Sequence, residues 1–151
     1  MKKLIALIVS IAILVSFIVY DINADVNAIK NIKLKINGAW IGKITFEYIV
    51  INVSTEFINN ESRNIKGLNG NFVIYILNNS VGNAKFEKIN IEKHSFYETN
   101  FSIKIYYKDI AIGIINAIEE GNYNLCIKGR VTGKIFFGIF RYSQNIYTIS
   151  K

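Results

Sequence analysis

The 151-residue chain has no proline and only one cysteine, one histidine and one tryptophan. The single cysteine, Cys126, excludes an internal disulfide framework and any zinc site built from several cysteines. The single histidine, His94, offers no imidazole cluster for a metal ion, and the pair His94-Ser95 lacks the carboxylate and the oxyanion site of a catalytic triad. Because proline is missing, the turns must be formed by Asn and Gly, which both tolerate positive φ.

Other sequence patterns that carry chemistry are missing as well. The sequence contains neither the glycine pattern of a phosphate-binding loop nor that of a dinucleotide-binding fold. Glu119 and Glu120 are adjacent on a predicted helix, where neighbouring side chains diverge by about 100° and do not face one site. Cys126 alternates with apolar neighbours, which is typical of a structural thiol. We therefore predict no catalytic residue, no metal site and no cofactor, so the chain is not expected to be an enzyme.

The net charge offers little support for a nucleic-acid partner. The chain carries a formal charge of +7, but its lysines are spread evenly along the sequence and form no dense basic block. Binding to phosphates along a nucleic acid requires cations that cluster on one face. We therefore predict a solvated, lysine-rich surface and no nucleic-acid partner.

The N-terminus has the pattern of a membrane helix. Lys2 and Lys3 precede an uncharged stretch from Leu4 to Tyr20, which as a helix would be about 25 Å long and close to the thickness of a bilayer core. The stretch is longer than the apolar region of most signal peptides, although the segment 26–28 offers a small-residue cleavage site at Ala28. We favour a retained anchor over a cleaved signal peptide and over a buried soluble helix. The positions expected to mark the anchor are Leu4, Ile8, Ile11, Leu14, Phe17 and Tyr20.

The two lysines before this stretch favour the cytoplasmic side of a membrane, which places the rest of the chain outside. We therefore divide the chain into an N-terminal membrane anchor or signal segment, residues 1–24, and an extracytoplasmic domain, residues 25–151. A pilin-type leader fits poorly, because Leu4 follows the lysines where processing would require a small residue. Asn-x-Ser patterns suit an external location if the host glycosylates its proteins. They occur at Asn52, Asn60, Asn78 and Asn100.

The composition favours strands in the rest of the chain, because 51% of all residues are apolar and many of these are β-branched or aromatic. We expect the first strand to end at the turn pair Asn37-Gly38, and the second to carry a bulge near Tyr48 to Val50. Polar, turn-forming segments are expected at 59–70 and 78–82, and Gly129 is expected to interrupt a strand. Apolar alternation or continuous apolar runs predict strands at 29–36, 44–57, 72–77, 86–91, 101–107, 123–128, 135–142 and 146–149.

One short helix is predicted after the anchor. Asp109 is a suitable N-terminal cap, and Gly121 a suitable C-terminal stop. Apolar residues recur between them with helical spacing at Ala111, Ile114, Ile115 and Ile118. These elements together predict an all-β fold, an immunoglobulin- or fibronectin-III-like antiparallel β-sandwich with one short helix, preceded by an N-terminal transmembrane helix.

A group of aromatic residues has two possible roles. Trp40, Phe136, Phe137, Phe140 and Tyr142 either form a membrane-touching or ligand-stacking surface or fill the core of the sandwich, which is the more usual fate and the one we expect. Phe136 and Phe137 are consecutive in a predicted strand and should therefore point to opposite faces. At least one of them is then expected on the second side of its sheet, where a binding groove is most plausible.

Three stretches carry a resemblance to a known family. A long alternating strand, Val50 to Ile58, leads into the turn Asn59-Asn60, and a short helical segment ending at Gly121 precedes the strand Ile127-Lys128-Gly129-Arg130-Val131. The segment Ile74-Tyr75-Ile76-Leu77-Asn78-Asn79-Ser80-Val81-Gly82-Asn83-Ala84 follows the form Val-Tyr-x-x-Asn-Gly-x-x-Val-Gly-x-Ala. In these features the chain resembles, over residues 44–149, the type 2 late-embryogenesis-abundant family, also described as the water stress and hypersensitive response domain. The asparagine turn departs from the family in lacking a proline.

The resemblance implies a fibronectin-III-like sandwich with a short helix, no catalytic residues to carry over, and a role in tolerance of drying, heat or osmotic stress. Our first hypothesis is therefore a non-enzymatic, membrane-anchored protective domain, with the membrane and envelope proteins or lipids as partners. One alternative is a secreted or surface-assembled adhesion module that uses exposed edge strands. Another alternative is a lipid- or small-molecule-binding domain with a groove between its sheets.

Overall fold

The computed structural model describes residues 2–110, 112–121 and 123–150. A long N-terminal helix is followed by seven strands, with a second, short helix between the fifth strand and the sixth. A single turn of 3-10 helix lies at Tyr107–Asp109, and a tight turn lies at Phe136–Gly138. The elements are α1 (Lys2–Lys30), β1 (Lys33–Ile44), β2 (Tyr48–Asn59), β3 (Ile65–Ile76), β4 (Asn79–Ile91), β5 (Ser95–Tyr106), α2 (Ile112–Glu119), β6 (Leu125–Ile135) and β7 (Phe140–Ile149).

The strands form two antiparallel sheets that enclose one core. The first sheet has the order β1-β2-β5 and the second the order β4-β3-β6-β7. Strand β2 alternates between buried and half-buried residues along its whole length, as expected for a strand with one face on a core. The rings of Phe57, Phe72 and Phe86 form a cluster in this core, with centroids 4.7 to 6.1 Å apart. Each such buried side chain stabilises the fold by about 1.5–3 kcal/mol.

The edges of the two sheets lie against each other. Strand β4 packs beside β5 on one side of the molecule, and β1 beside β7 on the other. This arrangement restricts access to the edge strands by another chain. The expected all-β, sandwich-like architecture with one short helix and an apolar N-terminal helix is confirmed.

The sandwich has a helix-proximal end, which we define as the end at which α1 enters the domain. Strands β1, β3, β5 and β7 begin there, and β2, β4 and β6 end there. The turns at this end are Asn60 to Asn64, Glu92 to His94 and Phe136 to Ile139.

Two sequence predictions near the N-terminus of the domain are wrong. Residues 29–32 are not the start of a strand, because α1 continues to Lys30 and its Ile29 is buried in the core. Asn37-Gly38 is not a hairpin turn but lies within β1, at a β-bulge between Ile36 and Gly38. Burial of the last turn of α1 against the sheets overrides the local preference of these residues for a strand.

The switch of faces at Tyr48 arises from a hairpin, not from the predicted bulge. The chain reverses at Thr45 to Glu47, and the Thr45 N–H donates to the Tyr48 carbonyl over 3.0 Å. The Thr45 hydroxyl accepts the Tyr48 N–H over 3.0 Å. The side chain thus closes the turn without glycine or proline, which are the signals that sequence reasoning uses.

The remaining turns are shorter than predicted. The polar segments at 59–70 and 78–82 contribute strand residues, so that β3 begins at Ile65 and β4 at Asn79. Gly129 does not interrupt a strand, because it lies inside β6. The expected strand at 135–142 is broken after Ile135 by the turn Phe136–Gly138.

The short helix is confirmed as α2. Ile114 and Ile118 are buried, and Gly121 has φ +67°, as expected at the end of a helix. Asp109 lies in the 3-10 turn that precedes the helix. Ala111 lies outside the described residues.

Candidate functional site

Helix α1 changes character along its length. Every residue from Lys2 to Phe17 is exposed, and so is Tyr20, whereas Asp21, Ala28 and Ile29 are buried against the domain. The α1 residues in the core or packed against it are Ile22, Val26, Ala28 and Ile29, which all follow the predicted anchor stretch. The helix is long and apolar enough to span a membrane. The exposed fractions at the anchor positions are 62% for Leu4, 58% for Ile8, 52% for Ile11, 60% for Leu14, 61% for Phe17 and 72% for Tyr20.

The turn between β2 and β3 is held by a buried asparagine. Asn59 is fully buried, and its Nδ2 donates to the carbonyl oxygens of Arg63 at 2.8 Å and of Glu92 at 3.0 Å. Its Oδ1 accepts the N–H of Glu61 at 3.1 Å. A buried asparagine that satisfies three backbone groups fixes the turn as an Asx-type motif. Asn59 thereby sets the position of Arg63.

Arg63 joins this turn to α1. Its guanidinium forms an ion pair with Asp21, and its Nε lies 3.2 Å from Oδ1 of Asp25. Oδ2 of Asp25 accepts the backbone N–H of Phe136 at 2.8 Å. The two carboxylates are one turn apart on one face of the helix. The two carboxylates of α1, the guanidinium of the β2–β3 turn and a backbone N–H of the β6–β7 turn therefore form one junction, which we call the Arg63 junction.

The β6–β7 turn presents apolar side chains to solvent. We call residues 136–140 the aromatic turn. Phe136, Phe137 and Gly138 have φ values of 48°, 54° and 86°, so two bulky residues adopt a left-handed conformation that normally favours glycine. Phe137 is 81% exposed, and Ile139 and Phe140 are exposed as well.

The aromatic residues were expected mainly in the core, and this prediction is wrong for most of them. Trp40, Phe137 and Phe140 are exposed, Phe136 is half-buried, and only Tyr142 packs partly against the core. Phe136 and Phe137 do not point to opposite faces of a strand, because they lie in a turn. The volume between the sheets is already filled by isoleucine, leucine and phenylalanine side chains.

A cleft of about 920 Å³ lies between α1 and the helix-proximal end of the sandwich. Phe17 and Phe137 both line it, together with Asp21 and Asp25. Five cations and two carboxylates line the cleft, which leaves an excess of three positive charges. The cations are Arg63, Lys66, Lys88, Lys93 and Lys134, and we call this the cationic cleft.

The cleft lysines come from three strands and a turn. Lys66 on β3 and Lys134 on β6 are direct cross-strand partners, an arrangement that places like charges opposite each other. Lys88 on β4 has φ 57° and donates its N–H to Oδ1 of Asn69 at 3.0 Å. Among residues 2–110, 112–121 and 123–150, no ion pair joins these lysines or Lys93 to a carboxylate. Within these residues, the four ammonium groups of the cleft lysines are therefore available to an anion.

The asparagines and the tyrosine that carry the family resemblance lie in turns and on the outer face of a sheet. Asn78 and Leu77 form a two-residue hairpin turn with φ values of 66° and 47°, and Asn60 is exposed beside the buried Asn59. The ring of Tyr75 is half-buried on the outer face of its sheet, with Nζ of Lys128 5.2 Å from its centroid. None of these positions lines the cationic cleft in the described structure.

The two motif glycines allow close approach of neighbouring strands. A Cβ at Gly82 would lie 2.3 Å from Cγ2 of Ile103, where β4 passes β5. A Cβ at Gly129 would lie 2.2 Å from the carbonyl oxygen of Asn71 on β3. Both distances are too short for a side chain, so these positions require glycine for packing.

Three of the four predicted glycosylation acceptors are exposed. Asn60, Asn78 and Asn100 lie at the surface. Asn52 is half-buried in the central strand β2, and its Oδ1 accepts the hydroxyl of Ser102 at 2.8 Å.

Among the described residues, those considered for catalysis do not line the cleft, although His94 directly follows the cleft residue Lys93. His94 is exposed in the β4–β5 turn with φ 51°, and its N–H donates to the carbonyl of Glu61. Cys126 is a half-buried free thiol on β6, and Glu119 and Glu120 are exposed at the end of α2. Within the described residues, no three His, Cys, Asp or Glu side chains come together in a group that would hold a metal ion.

A second cationic feature lies at the other end of the sandwich. Nζ of Lys104 lies 3.7 Å from the ring centroid of Tyr48 and 5.0 Å from that of Tyr106. A hydrogen bond with Tyr106 raises the pKa of Lys104 above its usual value, and desolvation opposes this shift. The lysine is exposed and bridges two neighbouring strands.

Sequence reasoning did not find the Arg63 junction or the cationic cleft. The cleft lysines are far apart in sequence and meet only because three strands end or begin at one place. One available signal was the pair of aspartates, Asp21 and Asp25, with helical spacing directly after an apolar stretch.

Comparisons with known proteins relate the fold to solved structures. No protein-family model matches the chain, and no curated protein matches its sequence. A solution structure of a protein from Arabidopsis thaliana is similar, with a TM-score of 0.58, 10% identity and coverage of 78% of each chain. An X-ray structure of a structural-genomics target, SoR45, has a TM-score of 0.55 and 12% identity, with coverage of 81% of this chain and 88% of that one.

A third similar structure bears a name from the family that the sequence resembles. It is the solution structure of a protein described as a candidate late embryogenesis abundant protein, with a TM-score of 0.49 and 8% identity. The similarity covers 90% of this chain and 82% of that one. The first two structures, with TM-scores of 0.58 and 0.55, show that the fold is shared.

Proposed function

We propose that the chain is a non-enzymatic, single-pass membrane protein that protects membrane or envelope proteins during drying, heat or osmotic stress. In this proposal the domain is an immunoglobulin- or fibronectin-III-like sandwich outside the cytoplasm, related to the type 2 late-embryogenesis-abundant family. The observation that carries the proposal is the division of α1 into an exposed apolar part and a part that is built into the domain.

The exposed part of α1 requires an apolar environment. Twelve of the 17 residues from Leu4 to Tyr20 are Leu, Ile, Val or Phe. Each such residue contributes roughly 0.3–0.6 kcal/mol to membrane insertion of a helix, so the stretch gains about 4–7 kcal/mol in a bilayer. In water the same side chains would form one large exposed apolar surface, which is a strong liability for aggregation.

The built-in part of α1 favours a retained anchor over a cleaved signal peptide. Cleavage after Ala28 would remove Asp21 and Asp25, which are both partners of Arg63. It would also remove Val26 and Ala28, which pack in or against the core. A product that began at Ile29 would keep the half-buried guanidinium without its carboxylates, which is unfavourable.

The other functions considered have less support in the fold. Adhesion by strand addition requires an accessible sheet edge, whereas here the edges of the two sheets lie against each other. A ligand groove between the sheets requires free volume, whereas that space is occupied by the buried core. The resemblance in sequence and the shared fold therefore favour the protective role.

Drying of proteoliposomes tests the protective role. A reporter membrane enzyme is reconstituted with the full-length chain, or with an equal mass of an unrelated single-pass protein, and its activity is measured after drying and rehydration. We expect more activity to survive with the full-length chain. Equal survival in the two preparations would contradict the proposed function.

A pair of variants tests whether protection requires the anchor. The double substitution Ile8→Lys with Leu14→Lys costs on the order of 6 kcal/mol of insertion free energy and should abolish both anchoring and protection. The matched control is Ile112→Lys, which makes the same kind of change at an exposed residue of α2. The control variant should anchor and protect like the original chain.

A further inference from the structure

The aromatic turn and the apolar part of α1 line one cleft. It is attached to the helix at Asp25 through the Phe136 N–H, yet Phe137 lines the same cleft as Phe17. Phe17 precedes Asp25 by eight residues, which corresponds to about 12 Å along the helix axis. The aromatic turn is therefore held beside α1 at Asp25 and shares the cleft with the end of the apolar stretch that precedes this residue.

The aromatic turn combines an unfavourable backbone conformation with exposed apolar side chains. Phe136 and Phe137 are both left-handed, at a cost of roughly 1–2 kcal/mol per residue for a side chain other than glycine. In this turn Phe137, Ile139 and Phe140 are exposed to solvent and lie outside the core. Aromatic residues beside a membrane helix are typical of the membrane–water interface.

The charges of the cationic cleft complement an anionic bilayer surface. Lys66 and Lys134 face each other across two strands, and Lys88 is held in a left-handed conformation beside them. Mutual repulsion of such lysines is relieved by an anion, and phosphate groups are the anions that are present at the height of the cleft if α1 spans the bilayer. A cationic side chain near such a surface interacts favourably with anionic lipids.

We infer that the helix-proximal end of the sandwich rests on the leaflet from which α1 emerges. The aromatic turn inserts into the interface, and the cationic cleft binds the phosphates of anionic phospholipid headgroups. This inference rests on the membrane anchoring in the proposed function. The inference adds a fixed orientation of the domain, in which the helix-proximal end faces the membrane and the Thr45–Glu47 turn lies at the opposite end of the sandwich.

Quenching by brominated lipids tests the inference on the full-length chain in liposomes. The only tryptophan is replaced in the background Trp40→Phe, and a reporter is introduced by Phe137→Trp. The matched control is Phe46→Trp, which places a reporter on a fully exposed aromatic position at the far end. Phe140→Trp is a second reporter in the aromatic turn if the first variant does not fold.

The inference predicts strong quenching for both turn reporters and none for Phe46→Trp. Replacing phosphatidylcholine by phosphatidylglycerol should increase quenching about twofold, and Lys66→Gln with Lys134→Gln should remove that increase. Quenching of the turn reporters no stronger than that of Phe46→Trp would overturn the inference. An increase that inorganic phosphate abolishes at constant ionic strength would assign the cleft to a soluble anion and would also overturn it.

The proposed function and this inference can fail separately. Flotation of the same liposomes reports whether the chain is anchored at all. A protein that does not float with the liposomes contradicts the anchor, whereas a floating protein with unquenched turn reporters contradicts only the orientation.

Discussion

Removal of the Arg63 guanidinium should loosen the connection between α1 and the domain. Arg63→Ala leaves the carboxylates of Asp21 and Asp25 without their cation. The loss is costly because these two side chains are only 11% and 17% exposed. Unpairing a fully buried ion pair costs about 3–5 kcal/mol, and hydrogen bonds to charged groups contribute about 1.5–3 kcal/mol. Because Arg63 itself is 37% exposed, we expect a loss of about 2–3 kcal/mol in the free energy of unfolding.

The assay is denaturant unfolding of the full-length chain in micelles, followed by the circular dichroism of the strands. The matched control is Lys35→Ala, which removes an ion pair with Glu56 at 3.7 Å on a surface where the lysine is 63% exposed. We expect this control to cost about 0.5 kcal/mol, and Arg63→Lys to lie between the two alanine variants. A loss for Arg63→Ala that is no larger than that for Lys35→Ala would refute the role of the Arg63 junction.

Three further changes in stability are measurable in the same assay. Leu77→Asn should stabilise the domain by about 1 kcal/mol, because asparagine tolerates the left-handed conformation at that hairpin turn. An unchanged midpoint of denaturant unfolding would contradict the claim that Leu77 is strained. Gly129→Ala should cost about 1–3 kcal/mol through a clash with Asn71, whereas Gly113→Ala in open space on α2 should be neutral or stabilising. Asn59→Ala should cost about 2–4 kcal/mol, since three backbone groups lose their partner; a loss below that of Lys35→Ala would contradict this role.

Much of the fold could be predicted from the sequence because strand alternation is a local signal. The pattern at Phe101 to Tyr107 and the run at Phe72 to Leu77 both fall within observed strands, apart from their last residues. The apolar helix at the N-terminus is equally local, since it depends on composition over a single stretch. The helical spacing of Ile114 and Ile118 likewise placed α2 correctly.

The errors occurred where tertiary contacts decide the local conformation. Ile29 has a strong preference for strands, yet it is helical because it packs on Gly133, which leaves room for its side chain. The apolar run at 135–142 predicts a strand at Phe136 and Phe137, and no sequence rule predicts two consecutive phenylalanines with left-handed backbone conformation.

The candidate site could not be predicted from the sequence for a different reason. Lys66, Lys88 and Lys134 are far apart in the sequence and belong to no basic block, so the sequence predicts only a solvated surface for them. They meet because the strands that carry them pair in one sheet. Clustering of charge is a property of sheet register, which a one-dimensional pattern does not contain.

The most direct test of the account is the intact mass and location of the full-length chain after expression in a native-like host. The account predicts a product of uncleaved mass in the membrane fraction, with a domain that external protease digests in intact cells. A shorter, soluble product beginning near Ile29 would contradict the retained anchor and the role of the Arg63 junction. A full-length protein in the cytoplasm would contradict the external location as well.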